Sequence, residues 1–330
     1  MSSLLIFGTR RDPHVTRVEE AIGAHGVRTI VLDYLRLESV CFRLDGSGSG
    51  RLEIAGREVL GPFIIWDRLK LFQGSPLYPR GDAREADWCA MEWRALCRLL
   101  AGVYRDRLYN SLESRSCLLK PYQQMVAARV GLRVPETLVS NRKRPILAFV
   151  REQERAVIKS LSAGKVQPRP DENDIPYNVF TMPVSSPRVR LADADSFRRC
   201  PHFLQQQIAK DHELRIAVVG ERLFAFRIES QKYAHSRVDW RYGVGDVGFE
   251  PVEVSPQLGE RLLAFMREMG LFSGSFDIIV DPEGEYWFLE CNQDGQWAWL
   301  DDLVNGAIAE AFADGFRREI ARFATLEAAS

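Results

Sequence analysis

Apolar runs of strand length open the chain and alternate with polar, turn-rich stretches. SLLIFG (3–8) reads as a buried strand and VRTIVLDY (27–34) as a second. Between them, Val15–His25 has helical periodicity, and strand–helix–strand order predicts a parallel α/β sheet. CFRLDGSGSGRLEIAG (41–56) predicts a hairpin, with Gly46, Gly48 and Gly50 in its loop, and FIIWDR (63–68) another strand. From Glu85 the period becomes helical. Cys89, Trp93, Leu96 and Leu100 fall near one face, and Gly102 lies past the end.

Ser116 to Gly131 predicts a helix stopped by its glycine. VPETLVS (134–140) is extended, RPILAFVREQ (144–153) helical and AVIKSL (156–161) strand-like. LSAGKVQPRPDENDIPYN (161–178) is rich in Pro, Gly and charge and predicts a mobile loop. HFLQQQI (202–208) is a strand. ELRIAVVGERLFAFRIES (213–230) is a hairpin around Gly220-Glu221. Pro256–Gly270 and roughly Leu303–Phe323 predict amphipathic helices. Between them FSGSFDIIVDPEGEYWFLECN (272–292) predicts a second hairpin, turning at Asp281-Pro282-Glu283-Gly284. No internal repeat or low-complexity tract stands out.

The 330 residues suffice for two or three domains. A composition 46% apolar and 27% charged is that of a soluble globular protein, and a net charge of -1 offers no overall field for nucleic acid or membrane. No segment has the apolar length of a signal peptide or of a membrane span. Six cysteines without a CxxC pair argue against a zinc ribbon or disulfide framework and for a reducing cytosol.

The last hairpin holds the candidate chemistry. Side chains alternate faces along a strand, so Glu290 and Asn292 share one. If Asp281 faces Gly284 across the turn, Asp277 pairs with Phe288 and joins that face. Two carboxylates and a carboxamide then form an all-oxygen site suited to a hard divalent cation such as Mg²⁺. A one-residue bulge at Gly284 would flip the register and send Asp277 to the opposite face. The other reading is a solvent-facing polar edge. An unpaired charge within SFDIIV favours the site.

GSFDIIVDPEGEYWFLECN resembles the C-terminal metal-binding hairpin of the ATP-grasp superfamily, and GQWAWLD (295–301) is similar to the ATP-grasp ribosomal-peptide maturases of the microviridin or graspetide type. LLKPYQQMVAARVGLRVPETLVSN, AVIKSL, QQQIAKDHELRIAVVGERLFAFRIESQ and RVDWRYG resemble, in order, other segments of those maturases. The resemblance covers about Cys117 to Asp302, and more loosely the N-terminal region. It implies an α+β ATP-grasp fold in three domains. These are an N-terminal α/β pre-ATP-grasp domain (1–112), a small central domain (113–207) and a C-terminal antiparallel-sheet domain (208–330), with ATP between the last two.

The resemblance further implies that Lys120 and Lys159 bind ATP phosphates and that Ser162, Gly164 and their loop close over them. Gln206 and Ile208 would offer hinge backbone to adenine, and Glu213 would bind ribose. Mg²⁺ would sit on Asp277, Glu290 and Asn292. Arg215 and Arg241 would carry a substrate carboxylate or the γ-phosphate, with Arg227 and Lys232 as weaker candidates. The implied activity is ATP-dependent activation of Asp or Glu side chains in a ribosomal precursor peptide, followed by macrocyclic ester or amide formation. The partner would be that peptide with its leader segment, bound through the central domain, and the enzyme would be a cytoplasmic homodimer. A ligase for free amino acids or other small substrates, and a nucleotide-binding regulator without turnover, are the alternatives.

Two positions depart from the pattern. Gln293 stands where the maturases often have Pro, and Ser275 where D-alanine ligases have Arg, so that positive charge must come from Arg215, Arg227 or Arg241. Gly243, Gly245 and Gly248 satisfy GxGxxG, but PheGluProVal follows instead of a helix, so no dinucleotide fold is inferred. Ser162–Lys165 is not a P-loop, which needs another Gly where Lys159 stands. Cys291, between two proposed ligands, should face the core.

Overall fold

The computed structural model describes residues 2–33, 35–36, 38–48, 50–68, 83–110, 119–162, 164–166, 177–243 and 245–329. The N-terminal part is a parallel sheet. Strand β1 (Ser3–Gly8) is followed by helix α1 (Pro13–Gly23) and β2 (Arg28–Asp33). A small antiparallel ribbon, β3 (Val40–Leu44), β4 (Gly50–Ile54) and β5 (Arg57–Glu58), precedes β6 (Phe63–Asp67), α2 (Ala83–Val103) and β7 (Leu108–Tyr109). The parallel order is β2-β1-β6-β7. The run of apolar residues in β1 has its reason here: all six residues are buried, with core on both faces. Gly102 does not end α2, which continues to Val103.

Helix α3 (Lys120–Arg129) occupies the later part of the expected 116–131 helix; Ser116–Leu118 lie outside the described residues. Its stop is as expected, since Gly131 adopts φ +84°. Then come β8 (Thr137–Ser140), α4 (Lys143–Glu152), β9 (Ala156–Lys159), β10 (Lys165–Val166), β11 (Tyr177–Asn178), β12 (Met182–Val184), α5 (Ser186–Leu191), α6 (Ala194–Arg198) and β13 (His202–Gln206). The antiparallel order is β12-β9-β13-β8. The described ends of the expected 161–178 loop pair as a ribbon, β10 against β11, and residues 167–176 lie outside the description.

The last sheet is antiparallel, in the order β16-β15-β14-β17-β18. It comprises β14 (His212–Val219), β15 (Arg222–Ile228), β16 (Phe249–Val252), β17 (Ser273–Val280) and β18 (Tyr286–Asn292), with α7 (Pro256–Glu268) between β16 and β17. One face of β14 presents Leu214, Ile216 and Val218 to α7 and α3. Its other face is divided: Ala217 and Val219 join Leu4, Ile6 and Trp66 of the N-terminal sheet in one core, whereas Glu213 and Arg215 are polar. The apolar half of this face docks the N-terminal sheet, and the polar half is left for a cleft.

The expected 303–323 helix is instead a short α8 (Ala298–Asp302) and a long α9 (Ala307–Ala329). Asn305 and Gly306 at φ +52° and +82° break the helix between them. The buried Asp301 carboxylate then accepts from the Ile308 and Ala309 amides at 2.8 and 3.3 Å, capping α9.

Candidate functional site

The hairpin β17–β18 reaches the expected convergence by another register. Val280 pairs with Tyr286, so the connection is Asp281–Glu285, one residue longer than expected, with Gly284 at φ +84°. Ile278, not Asp277, stands opposite Phe288. A second irregularity follows between Asp277 and Ile278, where Leu289 is the extra residue, and Asp277 pairs with Glu290. Two one-residue offsets add to a full strand period, so the face is restored. Without the bulge at Leu289, Glu290 would stand opposite Phe276 in the core and Cys291 would face the cleft. As built, Asp277, Leu289 and Glu290 line one cleft, with Asn292 beside them, while Cys291 is buried opposite. Burial pushes the Cys291 thiol far up, which suits a core residue and not a nucleophile.

An edge strand that positions cleft side chains must be pinned. The Gln123 side chain does this from α3. Its amide nitrogen donates to the Cys291 carbonyl at 3.0 Å, and its oxygen accepts from the Cys291 N–H at 2.7 Å. Gln123 thus stands in for a neighbouring strand. It also fixes the distance between β18 and Lys120, one turn earlier on α3, whose Nζ lies 3.3 Å from Glu290 Oε2.

Lys159, at the end of β9, donates to Gln205 Oε1 at 2.6 Å. Burial lowers its pKa to about 8, and Lys120 and Lys210 add to that while Glu290 opposes it. Burial pushes the Glu290 carboxyl up, but Lys120, Lys159 and Arg241 outweigh it and hold the group below the usual range. Asp277 is raised, chiefly by burial, with Glu290 adding to the rise and Arg215 opposing it.

Lys120, Lys159, Gln206, Ile208, Glu213, Arg241, Asp277 and Glu290 line a single cleft of ≈ 730 Å³ between the central and C-terminal sheets. At the end of β13, the Gln206 N–H is taken by the Glu136 carbonyl at 2.8 Å. Glu213 is 5% exposed. Its Oε1 accepts from Lys210 at 2.9 Å, and its Oε2 finds no partner among the described residues. A buried acceptor lacking a donor fits a ligand hydroxyl.

An adjoining open cleft of ≈ 1350 Å³ takes in Ser162, Arg215 and Asn292, and shares Lys120, Arg241, Asp277 and Glu290 with the first. Gly164 lines neither. It adopts φ +69°, and its carbonyl accepts from the Val179 N–H at 2.6 Å, so it shapes the loop from behind. Arg215 stands opposite Asp277 in the ladder and donates to its Oδ1 at 2.7 Å. This places a positive charge beside Asp277. Gly295 packs against Ser275 so closely that a Cβ on the glycine would collide with the serine side chain. Arg241 is held by Asp239, from Nε to Oδ1 at 2.8 Å and from Nη2 to Oδ2 at 2.6 Å. Burial pushes the Asp239 carboxyl up, but Arg241 outweighs it and holds it down. Arg227 pairs with Glu229 and Asp211, and neither it nor Lys232 lines the two clefts.

The two tryptophans past the turn have different roles. Trp297 is 3% exposed and stacks on Phe312 at 5.1 Å. Its N–H and that of Ala298 donate to His14 Nε2 at 2.8 and 3.1 Å. His14 therefore carries its proton on Nδ1, facing Asp12 Oδ1 at 2.5 Å. Trp299 is 39% exposed and lines the open cleft.

The sequence placed Gln123 and Asp239 in motifs without a role for either, and gave none to Lys210, Gln205 and His14. Signals existed for three. Lys210 and Glu213 are three apart, Asp239 is two residues before Arg241, and Gln123 is a helical turn from Lys120. Those of Gln205 and His14 are tertiary.

No protein-family model matches the chain, and no curated protein matches it. Solved structures do. A Chryseobacterium gregarium RiPP-associated ATP-grasp ligase, in complex with ADP and a leader and core peptide, superposes at TM-score 0.83 with 25% identity, over 97% of each chain. The macrocyclase MdnC from Microcystis aeruginosa MRC, bound with precursor peptide MdnA, superposes at 0.79 with 25% identity, over 96% of this chain and 100% of that one. The ATP-grasp ligase PsnB, complexed with a phosphomimetic variant of its minimal precursor, Mg and ADP, shares the fold at 0.74 and 19% identity, over 97% and 99%. With motif order, hairpin geometry and near-complete superposition in agreement, the chain is an ATP-grasp protein of the group to which the RiPP-associated ligases belong.

Proposed function

We propose that this protein is an ATP-dependent ligase that activates Asp or Glu side chains of a ribosomal precursor peptide as acyl phosphates and closes macrocyclic ester or amide links. The observation that carries this reading is the convergence of Asp277 and Glu290 with Lys120, Lys159 and Glu213 in one cleft, opening onto Arg215 and Arg241 in the next. Asp277, Glu290 and Asn292 offer the side-chain oxygens that would hold Mg²⁺, and the ion would supply neutralisation of the phosphate charge.

Lys120 and Lys159 hold the phosphates, with Ser162 and the Gly164 loop above them. The Gln206 carbonyl and the Ile208 amide face adenine, and Glu213 Oε2 accepts from ribose. Arg215 and Arg241 orient the peptide carboxylate for attack on the γ-phosphate, then hold the acyl phosphate while a Ser/Thr hydroxyl or Lys amine attacks its carbonyl. ADP leaves in the first step and phosphate in the second. The open cleft, with Trp240 and Trp299 in its wall, has room for a peptide segment.

The domains divide near 112 and 207, the leader binds the central one, and the protein works as a cytosolic homodimer. The free state of Cys41, Cys89, Cys97, Cys200 and Cys291 supports a reducing compartment. No helix among the described residues is long and apolar enough to cross a membrane. The test is to search beside the gene for a short reading frame rich in Thr/Ser and Asp/Glu, incubate its peptide with the protein and Mg-ATP, and weigh the product; absence of such a frame favours a ligase for small substrates. Each ring removes one water and releases one ADP. ADP release without loss of peptide mass would overturn the cyclase reading.

A further inference from the structure

Lys210 has no role in the mechanism above, yet its side chain is 9% exposed and lines the nucleotide cleft. It lies in the connection between β13 and β14, three residues before Glu213. Its Nζ donates to Glu213 Oε1 and to the Val238 carbonyl, both at 2.9 Å. A lysine stem is flexible and its ammonium strongly hydrated, so an inward position needs such partners. Glu213 Oε1 is thereby occupied while Oε2 is buried without a partner. A carboxylate with both oxygens free could turn to share a single ligand hydroxyl in several ways; with one oxygen fixed, the other has a single direction.

We propose that Lys210 is a positioning residue that sets sugar selectivity: anchored on the Val238 carbonyl and donating to Glu213 Oε1, it aims Oε2 at a ribose hydroxyl and disfavours a deoxyribose nucleotide. The inference rests on the reading that this cleft takes ATP. A buried acceptor left unmatched by a missing hydroxyl penalises the deoxy nucleotide, whereas a freely turning carboxylate would relax and lose that discrimination.

The experiment measures binding of Mg-ADP, Mg-2′-deoxy-ADP and Mg-3′-deoxy-ADP by titration calorimetry to wild type, Lys210→Met, Lys210→Gln and Glu213→Gln, with thermal melts of each. Wild type prefers ADP over at least one deoxy nucleotide by about tenfold or more. Lys210→Met and Glu213→Gln lose most of that preference, with ADP affinity falling further than deoxy-ADP affinity. Lys210→Gln, which keeps N–H donors on a stem one atom shorter, retains at most part of it. If Lys210→Met does not fold, Glu213→Gln and Lys210→Gln decide. A full preference in a folded Lys210→Met, a full preference in Glu213→Gln, or equal losses for all three nucleotides would overturn the proposal. If wild type binds ADP without preferring it, selectivity by Lys210 fails while the ATP reading stands. If wild type binds no ADP, the ATP reading fails and this inference with it.

Discussion

Two hairpins of the same five-stranded sheet are built on different rules. In β14–β15 the ladder runs from Val219 opposite Arg222 to Glu213 opposite Ile228 without a break, around a turn at Gly220 and Glu221. In β17–β18 the connection carries one residue more than expected and the ladder slips again at Leu289. The regular hairpin keeps every side chain on its alternating face. The irregular one turns two consecutive residues, Leu289 and Glu290, toward the cleft and bends the strand at that point. Its edge is then secured by Gln123. The proposed metal ligands Asp277 and Glu290 thus sit where the repeat is broken, and the unbroken hairpin supplies Glu213 and, opposite Asp277, Arg215.

That contrast can be broken most severely at Glu290. Glu290→Gln keeps the volume and the register but removes a charged ligand oxygen, and ATP turnover should fall by about a hundredfold or more with the fold intact. Unchanged turnover would refute Glu290 as a metal ligand. Lys159 is sharpened by pH. Its ammonium loses its proton as pH rises through about 8, so kcat/KM for ATP should decline above that pH. Lys159→Arg should move this limb to higher pH, and a limb that stays in place would assign it to another group.

Smaller effects separate stability from chemistry. Gln123→Leu leaves the Cys291 N–H and carbonyl buried without partners and should destabilise the protein by about 2–4 kcal/mol in urea unfolding. Loss of ATP affinity should accompany it, because Lys120 shares the helix. Gly220→Ala in the regular hairpin forces an alanine to φ +57° and should cost only about 1–2 kcal/mol, leaving turnover unchanged. A Gly220→Ala variant that lost turnover would mean that the two hairpins are not separable in this way.

Much of the architecture was legible because strand and helix periods are local. The parallel N-terminal sheet, both C-terminal hairpins and α7 follow the apolar pattern. The convergence of Asp277 with Glu290 was legible only in its outcome. Parity placed both on one face, but the pairing of Asp277 with Phe288 was wrong. The longer connection and the Leu289 bulge are tertiary choices, since only packing of Phe288 and Cys291 into the core on either side makes Leu289 the extra residue. The expected final helix failed at its start because Asp301 is a cap set by buried contacts, and helical periodicity alone does not report it. Trp297 illustrates the same limit. Its motif pointed to a narrower family, while its side chain is core and its backbone is held by His14 from the other end of the chain.

The central claim is that this bulged hairpin forms a divalent-metal site facing a nucleotide. The most direct measurement is a Mn²⁺ titration followed by electron paramagnetic resonance in the presence of ADP, on wild type and on Asp277→Asn. Wild type should take up the ion together with ADP, and Asp277→Asn, with a melting temperature lowered by loss of the Arg215 pair but still folded at the assay temperature, should bind it about tenfold or more weakly. Equal Mn²⁺ uptake by the two proteins would contradict the account.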